Sequence, residues 1–184
     1  MASDPLEARE IIVGVTGSIA AYKAAELVSR LRQRGAAVTV VMTQAATRFV
    51  QPLTFATLCD RRVITDLFAP PEDYEAEHIA LAQKAELAIV APATANVLGK
   101  LAAGIADDAL TTTLISLQCP VVIAPAMNYR MWENPAVQQN VARLRELGYR
   151  IVEPEAGWLA CGERHIGRLA NLDTILQAAE AALA

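Results

Sequence analysis

Residues 10–42 read EIIVGVTGSIAAYKAAELVSRLRQRGAAVTVVM, and the change of hydrophobic period inside this stretch decides the fold. Residues 10–16 are a β-branched, apolar run ending at Gly17. Residues 18–34 then place apolar side chains at helical spacing through Ala21, Ala25, Leu27, Val28 and Leu31, up to a stop at Gly35. A second β-branched run fills residues 37–42. Strand, tight turn, helix and strand make a β-α-β unit with a right-handed crossover, so a parallel sheet is the expected outcome.

The alternation continues outward from this unit. Residues 43–58 suit short helical stretches broken at Pro52, 63–67 a brief strand, 69–77 a loop and 78–84 a helix. Residues 87–91 read as a buried strand closed by Pro92, 94–103 and 106–117 as helices, and 121–124 as the next strand. Residues 134–147 form a helix stopped by Gly148, and 150–152 a final short strand. Residues 155–169 look loop-like, and 172–183 an Ala-rich terminal helix. No repeat, low-complexity tract or Pro/Gly linker divides the chain. The expectation is α/β class: residues 1–184 as a single doubly wound, Rossmann-like (flavodoxin-like) parallel sheet with helices on both faces, preceded by a flexible tail at 1–9.

Bulk properties exclude several functions. With 184 residues, 54% hydrophobic and 20% charged, the chain can bury one good core. Its net charge of -4 and pI near 5.2, with both signs interspersed, argue against a nucleic-acid partner. The richest apolar run, residues 11–22, is too short for a membrane span and is interrupted by Thr16, Gly17 and Ser18. The acidic segment 1–10 is not a signal peptide. Cys59, Cys119 and Cys161 are odd in number and lack CxxC spacing, which suits a reducing, cytoplasmic setting with one cysteine reactive, and no metal site is expected.

In an open parallel sheet, ligands sit beyond the carboxyl ends of the strands. After the first strand comes Thr16-Gly17-Ser18-Ile19-Ala20, a small-residue turn into a helix whose free N–H groups favour a phosphate, with Ser18 able to contribute its hydroxyl or to cap. The second strand ends in Met42-Thr43-Gln44, without the acidic residue a dinucleotide fold places there, which favours a mononucleotide. The next ends in Ala91-Pro92-Ala93-Thr94-Ala95-Asn96, where small residues admit a flat ring and Thr94 and Asn96 offer polar contacts. The apolar run 119–124 leads to Pro125-Ala126-Met127-Asn128-Tyr129-Arg130-Met131-Trp132, a lone amide among large apolar side chains. Four strand ends carrying small and Ser/Thr/Asn residues describe a ligand pocket.

These stretches, together with His78-Ile79-Ala80-Leu81, Ala160-Cys161-Gly162 and the run from Gly17 through Tyr22-Lys23, resemble the flavin-dependent cysteine decarboxylases. Within that family they resemble the phosphopantothenoylcysteine decarboxylases of coenzyme A biosynthesis. The resemblance covers nearly the whole chain, and residues 125–132 match the family's Pro-x-Met-Asn-x-x-Met-Trp signature at every fixed position. It implies bound FMN, with Gly17, Ser18, Ile19, Thr43, Thr94, Ala95, Asn96 and Ala126 as cofactor contacts. It also implies the substrate (R)-4'-phospho-N-pantothenoylcysteine, met by Asn128, Met131, Ala160 and Cys161. A cysteine carboxylate loses carbon dioxide poorly, because the carbanion has nowhere to delocalise. Oxidation of the thiol to a thioaldehyde removes that obstacle, and decarboxylation then leaves an enethiol. By resemblance, His78 assists thiol oxidation, Asn128 holds the departing carboxylate through a neutral amide, and Cys161 supplies the proton when the enethiol is reduced.

Cys161 chooses among family members. A decarboxylase of peptidyl C-terminal cysteines releases its enethiol and needs no second redox step, whereas the coenzyme A enzyme does. A flavin prenyltransferase and a non-catalytic flavin-binding regulatory subunit are further readings; the intact asparagine signature speaks against the first, and the joint presence of His78, Asn128 and Cys161 against the second. The resemblance makes 155–169 a substrate flap, although Glu163-Arg164-His165-Ile166 puts bulkier residues where the family has glycines. Relatives place FMN between subunits, so a homotrimer or homododecamer is implied. Some relatives continue into a ligase domain beyond the part that these 184 residues resemble.

Overall fold

The computed structural model describes residues 4–68 and 77–184. Its main sheet contains β1 (Glu10–Val15), β2 (Ala37–Met42), β3 (Leu87–Ala93), β4 (Val121–Pro125) and β5 (Arg150–Ile151) in the order β2-β1-β3-β4-β5, with every neighbouring pair parallel. Between and after the strands run α1 (Ala21–Gln33), α2 (Pro52–Cys59), α3 (Glu77–Lys84), α4 (Ala95–Ala103), α5 (Ala109–Ser116), α6 (Tyr129–Trp132), α7 (Pro135–Glu146) and α8 (Leu172–Leu183).

The sheet is buried on both faces, which is why its strands read as unbroken apolar runs. Ile11, Val13 and Val15 of β1 point to one core with Ala24, Leu27 and Leu31 of α1 and Ile175 and Ala179 of α8. Ile12 points to the other, with Leu98 and Leu101 of α4, Leu110 and Leu114 of α5, and Val141 and Leu144 of α7. A side chain at Gly14 would come within 2.7 Å of Leu110, so the glycine lets α5 lie close on β1.

Several boundaries differ from the expectation, each for a local reason. Helix α1 begins at Ala21 rather than at 18, because the Ser18 N–H donates to the Thr16 carbonyl at 2.8 Å and its hydroxyl takes the Ala20 N–H at 3.3 Å, forming a turn first. Strand β3 continues through Pro92 to Ala93. The proline sits where the β3–β4 register shifts, so no ladder bond is asked of its missing N–H. The brief strand at 63–67 reduces to one bridge, Ile64 to Val41, because Asp66 turns the chain by accepting the Phe68 N–H at 3.0 Å. Helix α5 starts at Ala109 rather than 106. Asp108 caps it by accepting the Thr111 N–H at 2.9 Å, in a reciprocal capping box. Burial pushes the Asp108 carboxyl up, but Lys100 at 2.7 Å and the Thr111 N–H outweigh this and hold it below its ordinary value.

Two corrections are larger. Residues 155–169 are not a loop: β6 (Glu155–Trp158) and β7 (Arg164–Arg168) form an antiparallel hairpin separate from the main sheet. Its turn closes through Leu159 N–H to the Glu163 carbonyl at 2.8 Å and Gly162 N–H to the Leu159 carbonyl at 3.0 Å. From Asp4 onward the expected tail is packed, with Leu6 fully buried and Asp4 holding the Arg34 guanidinium at 2.7 Å.

Candidate functional site

The carboxyl ends of β1, β3 and β4 are stitched together by side-chain and backbone bonds. The buried Thr16 hydroxyl donates to the Pro92 carbonyl at 2.7 Å and accepts the Thr94 N–H at 3.0 Å, which fixes the turn after β1 against the start of α4. The Ala126 N–H donates to the Ala93 carbonyl at 3.0 Å, and the Ser18 hydroxyl reaches the Ala126 carbonyl at 3.4 Å. The hairpin is docked onto this platform by the Met127 N–H, which donates to the Gly167 carbonyl at 3.0 Å. Gly167 has φ +126°, and a Cβ there would lie 2.2 Å from the Met127 carbonyl oxygen, so this approach is possible only for glycine.

Above the platform and under the hairpin lies a cavity of about 630 Å³, a volume in the range of small-molecule sites. One wall is the turn into α1, with Gly17, Ser18, Ile19, Tyr22 and Lys23; another is Thr94 and Ala95. The segment after β4 contributes Ala126, Met127, Asn128 and Met131, and the hairpin contributes Trp158, Ala160, Cys161 and Arg168. The cavity straddles the β1/β3 junction, where successive connections leave in opposite directions.

Most residues singled out from the sequence therefore face one space: Gly17, Ser18, Ile19, Thr94, Ala95, Ala126, Asn128, Met131, Ala160 and Cys161. Thr43 does not line it. Its N–H donates to the Val15 carbonyl at 3.0 Å, and its hydroxyl takes the Ala46 N–H at 3.3 Å, opening a short 3-10 turn. Asn96 is exposed on the first turn of α4, away from the cavity wall. His78 lies in the first turn of α3, and its side chain falls outside the described residues. Tyr22, Lys23, Trp158 and Arg168 line the cavity without having been nominated. Lys23 was legible as the cation in the first turn of α1, but the hairpin residues depended on a pairing that the sequence hid.

Asn128 caps α6 with its side-chain oxygen, which accepts the Arg130 N–H at 2.9 Å, leaving the amide nitrogen to donate elsewhere. Beside it, the Tyr129 ring stacks on His165 of β7 at 4.0 Å and 17°, adding a second contact between hairpin and platform. The Tyr129 hydroxyl, 3.1 Å from Arg130, is the chief cause raising that guanidinium's pKa. Burial, and then the charge of Arg168, lower the pKa of Lys23. Cys161 is exposed at the hairpin tip, Cys119 half-buried, Cys59 buried, and all three are free thiols.

The strand order and the cavity at its switch point define a flavodoxin-like α/β protein with a small-molecule site. A family model described as Flavoprotein matches residues 1–183, and the chain belongs to that family. It is 51% identical over 175 residues to the coenzyme A biosynthesis bifunctional protein of Bacillus subtilis, covering 95% of this chain and 43% of that one. It is 44% identical over 174 residues to a Streptococcus mutans protein named probable phosphopantothenoylcysteine decarboxylase, covering 94% of this chain and 97% of that one. The chain thus spans less than half of the Bacillus relative and nearly all of the Streptococcus one. Among solved structures, the FMN-dependent cysteine decarboxylase SpaF superposes with TM-score 0.85 at 36% identity, over 97% of this chain and 98% of that one. A cysteine-to-serine variant of a PPC decarboxylase bound to pantothenoylaminoethenethiol superposes with TM-score 0.86 at 29% identity, over 94% and 96%.

Proposed function

We propose that this chain is an FMN-dependent carboxy-lyase that converts (R)-4'-phospho-N-pantothenoylcysteine to 4'-phosphopantetheine. The observation that carries the reading is the meeting of Asn128 and Cys161, one from the platform and one from the hairpin, on the wall of a single cavity floored by small residues. The likeness to the Streptococcus and Bacillus proteins supports the substrate, and the likeness to SpaF supports the cofactor.

The residues present fit FMN. The N–H groups of Gly17, Ile19 and Ala95 have no acceptor among the described residues, and the lining residues described include no carboxylate, so the turn into α1 can take a phosphate and the Thr94–Ala126 floor a flat ring. When bound, FMN supplies the two-electron oxidation of the thiol and the matching reduction at the end. The protein does the rest. The free Asn128 amide nitrogen donates to the substrate carboxylate without a full charge, so it orients the group and does not hold it back as carbon dioxide leaves. Cys161, at the exposed hairpin tip, delivers a proton to carbon. His78, on α3, is proposed to orient or deprotonate the substrate thiol.

Purified protein loaded with FMN should be yellow and should release carbon dioxide from phosphopantothenoylcysteine. An FMN-loaded protein inert on that substrate overturns the assignment. Asn128→Asp is the sharper probe, since aspartate keeps the cap on the Arg130 N–H but turns a carboxylate toward the substrate's own. A fall in kcat/KM of about tenfold to a hundredfold is expected from like-charge repulsion, with the unfolding midpoint unchanged; an unchanged kcat/KM removes Asn128 from the carboxylate. Oxidative decarboxylation of a peptidyl C-terminal cysteine is separated by the product, which would remain an enethiol.

Assembly and location belong to the same proposal. Ile19, Tyr22 and Trp158 line the cavity yet are 62%, 63% and 70% exposed, as expected of side chains covered by a second copy. The expected state is a homotrimer, or a homododecamer of four trimers, by light scattering; a monomer that retains FMN contradicts it. Free thiols throughout suit the cytoplasm.

A further inference from the structure

The cavity reverses the charge of the protein that contains it. The chain carries -4 overall, yet the charged residues described on the cavity wall are Lys23 and Arg168, both cations. Lys23 has no carboxylate within 4.0 Å among the described residues. Arg168 has only a long contact, 4.0 Å, to Glu155. The two cations feel each other, and the pKa of Lys23 is lowered by burial and by Arg168 in spite of Glu155 and Glu26. A half-buried ammonium beside an exposed guanidinium, neither with a carboxylate closer than 4.0 Å among the described residues, is an arrangement that an anion bound between them stabilises.

The backbone is arranged to permit this. Arg168 lies across the face of β6 because position 157 is glycine: a Cβ there would be 3.0 Å from the Arg168 side chain. Arg168 pairs with Glu155 at the base of the hairpin, while Trp158 pairs with Arg164 next to the turn that carries Cys161. From Arg164 to Arg168 is four strand steps, about 13 Å, with the turn in addition. Lys23, in the first turn of α1, stands on the same side as that base.

We infer that Lys23 and Arg168 form the subsite for the phosphomonoester at the far end of the substrate from its cysteine. The inference rests on the proposed reaction. Phosphopantothenoylcysteine separates its phosphate from its sulfur by roughly a dozen bonds, about 15 Å when extended at the reach per bond of a peptide chain, which matches the distance from the hairpin base to its tip. With Cys161 and Asn128 at the reacting end, the cation pair falls where the phosphate arrives. The turn at Gly17–Ile19 is a separate set of donors, so the two phosphates of a filled site need not share groups. A guanidinium and an ammonium together read a dianion, and a substrate lacking the phosphate leaves both uncompensated, so the subsite sets specificity as well as affinity.

The test uses the FMN-loaded full chain and calorimetric titration with the product pair 4'-phosphopantetheine and pantetheine, so that it does not depend on turnover. Wild type should prefer the phosphorylated compound by a hundredfold or more. Lys23→Gln and Arg168→Gln should each cut that preference about tenfold, the double variant should nearly abolish it, and Lys23→Arg should keep most of it. The flavin absorbance per chain should be the same in all. Preference unchanged in both glutamine variants overturns the inference. So does a loss of FMN relative to riboflavin with product preference intact, which would give the cations to the cofactor's phosphate. A wild-type protein that prefers the phosphorylated product but does not decarboxylate the cysteine compound keeps the subsite and sinks the reaction.

Discussion

Cys161→Ser, loaded with FMN and given phosphopantothenoylcysteine, is expected to release carbon dioxide at close to the wild-type rate in a single turnover, one equivalent per flavin, and to stop at the enethiol. Reduction of that intermediate needs a hydride equivalent and a proton, and the proton must reach carbon. A thiol is acidic enough to give it, with an ordinary pKa near 8.5, whereas a serine hydroxyl is a far weaker acid of almost the same shape. Removing a positioned proton donor costs about 10²- to 10⁴-fold in the step it serves, so phosphopantetheine formation should fall by that factor while carbon dioxide release in the first turnover does not. The hairpin should stay intact. Its turn is closed by the backbone bonds of Leu159, Gly162 and Glu163, and Cys161 is exposed between them. Mass spectrometry should find a product lighter by the hydrogens of the final reduction. Wild-type levels of phosphopantetheine from the variant would remove Cys161 from the chemistry, whereas loss of both carbon dioxide and product would make it a structural residue.

How far the site could be read from the sequence follows from which forces placed each residue. The strands of the main sheet are buried on both sides, so apolar runs such as Ile11–Val15 announced themselves, and the strand-end rule then located the cavity. The hairpin announced nothing. Glu155–Trp158 and Arg164–Arg168 bury no continuous apolar face, Trp158 is exposed, and their contacts with the platform, among them a backbone bond, a stacked ring pair, a glycine contact and the packing of Ile166 on the core, are made with residues distant in the chain. Thr43 and Asn96 illustrate the opposite limit. Both stand just past strand ends, but a strand end gives the side of the sheet and not whether a side chain lines this cavity. Gly17 packs against Ala45, where a Cβ would sit 2.5 Å from the alanine methyl, so the segment after β2 supports the turn into α1 from behind. His165, whose role the sequence left open, turned out to serve the docking through its ring.

That docking makes Gly167 the most consequential position outside the reacting groups. In Gly167→Ala the new methyl carbon would be placed 2.2 Å from the Met127 carbonyl oxygen and 3.4 Å from the Tyr129 nitrogen, both backbone atoms that cannot rotate away. The φ of +126° is itself closed to alanine at a cost of about 1–3 kcal/mol. The cheapest relief is for β7 to lift off the platform, breaking the Met127–Gly167 bond and the Tyr129–His165 stack and carrying Cys161 and Arg168 away from Asn128. The cores on either face of the main sheet do not depend on that contact, so unfolding should remain cooperative. A melting temperature lower by about 2–12 °C corresponds to the strain at about 2–4 °C per kcal/mol for a chain of this size. Activity should fall much further, by about a hundredfold or more, because misplacing catalytic groups by about an ångström already costs that much. Gly104→Ala supplies the control. It too has positive φ, +70°, but its Cβ would meet nothing within 4 Å and it caps α4 away from the cavity wall. It should lose stability on the order of 1 kcal/mol from the backbone alone with kcat/KM unchanged. If Gly167→Ala loses only stability, in proportion to Gly104→Ala, the hairpin is not what brings Cys161 to Asn128.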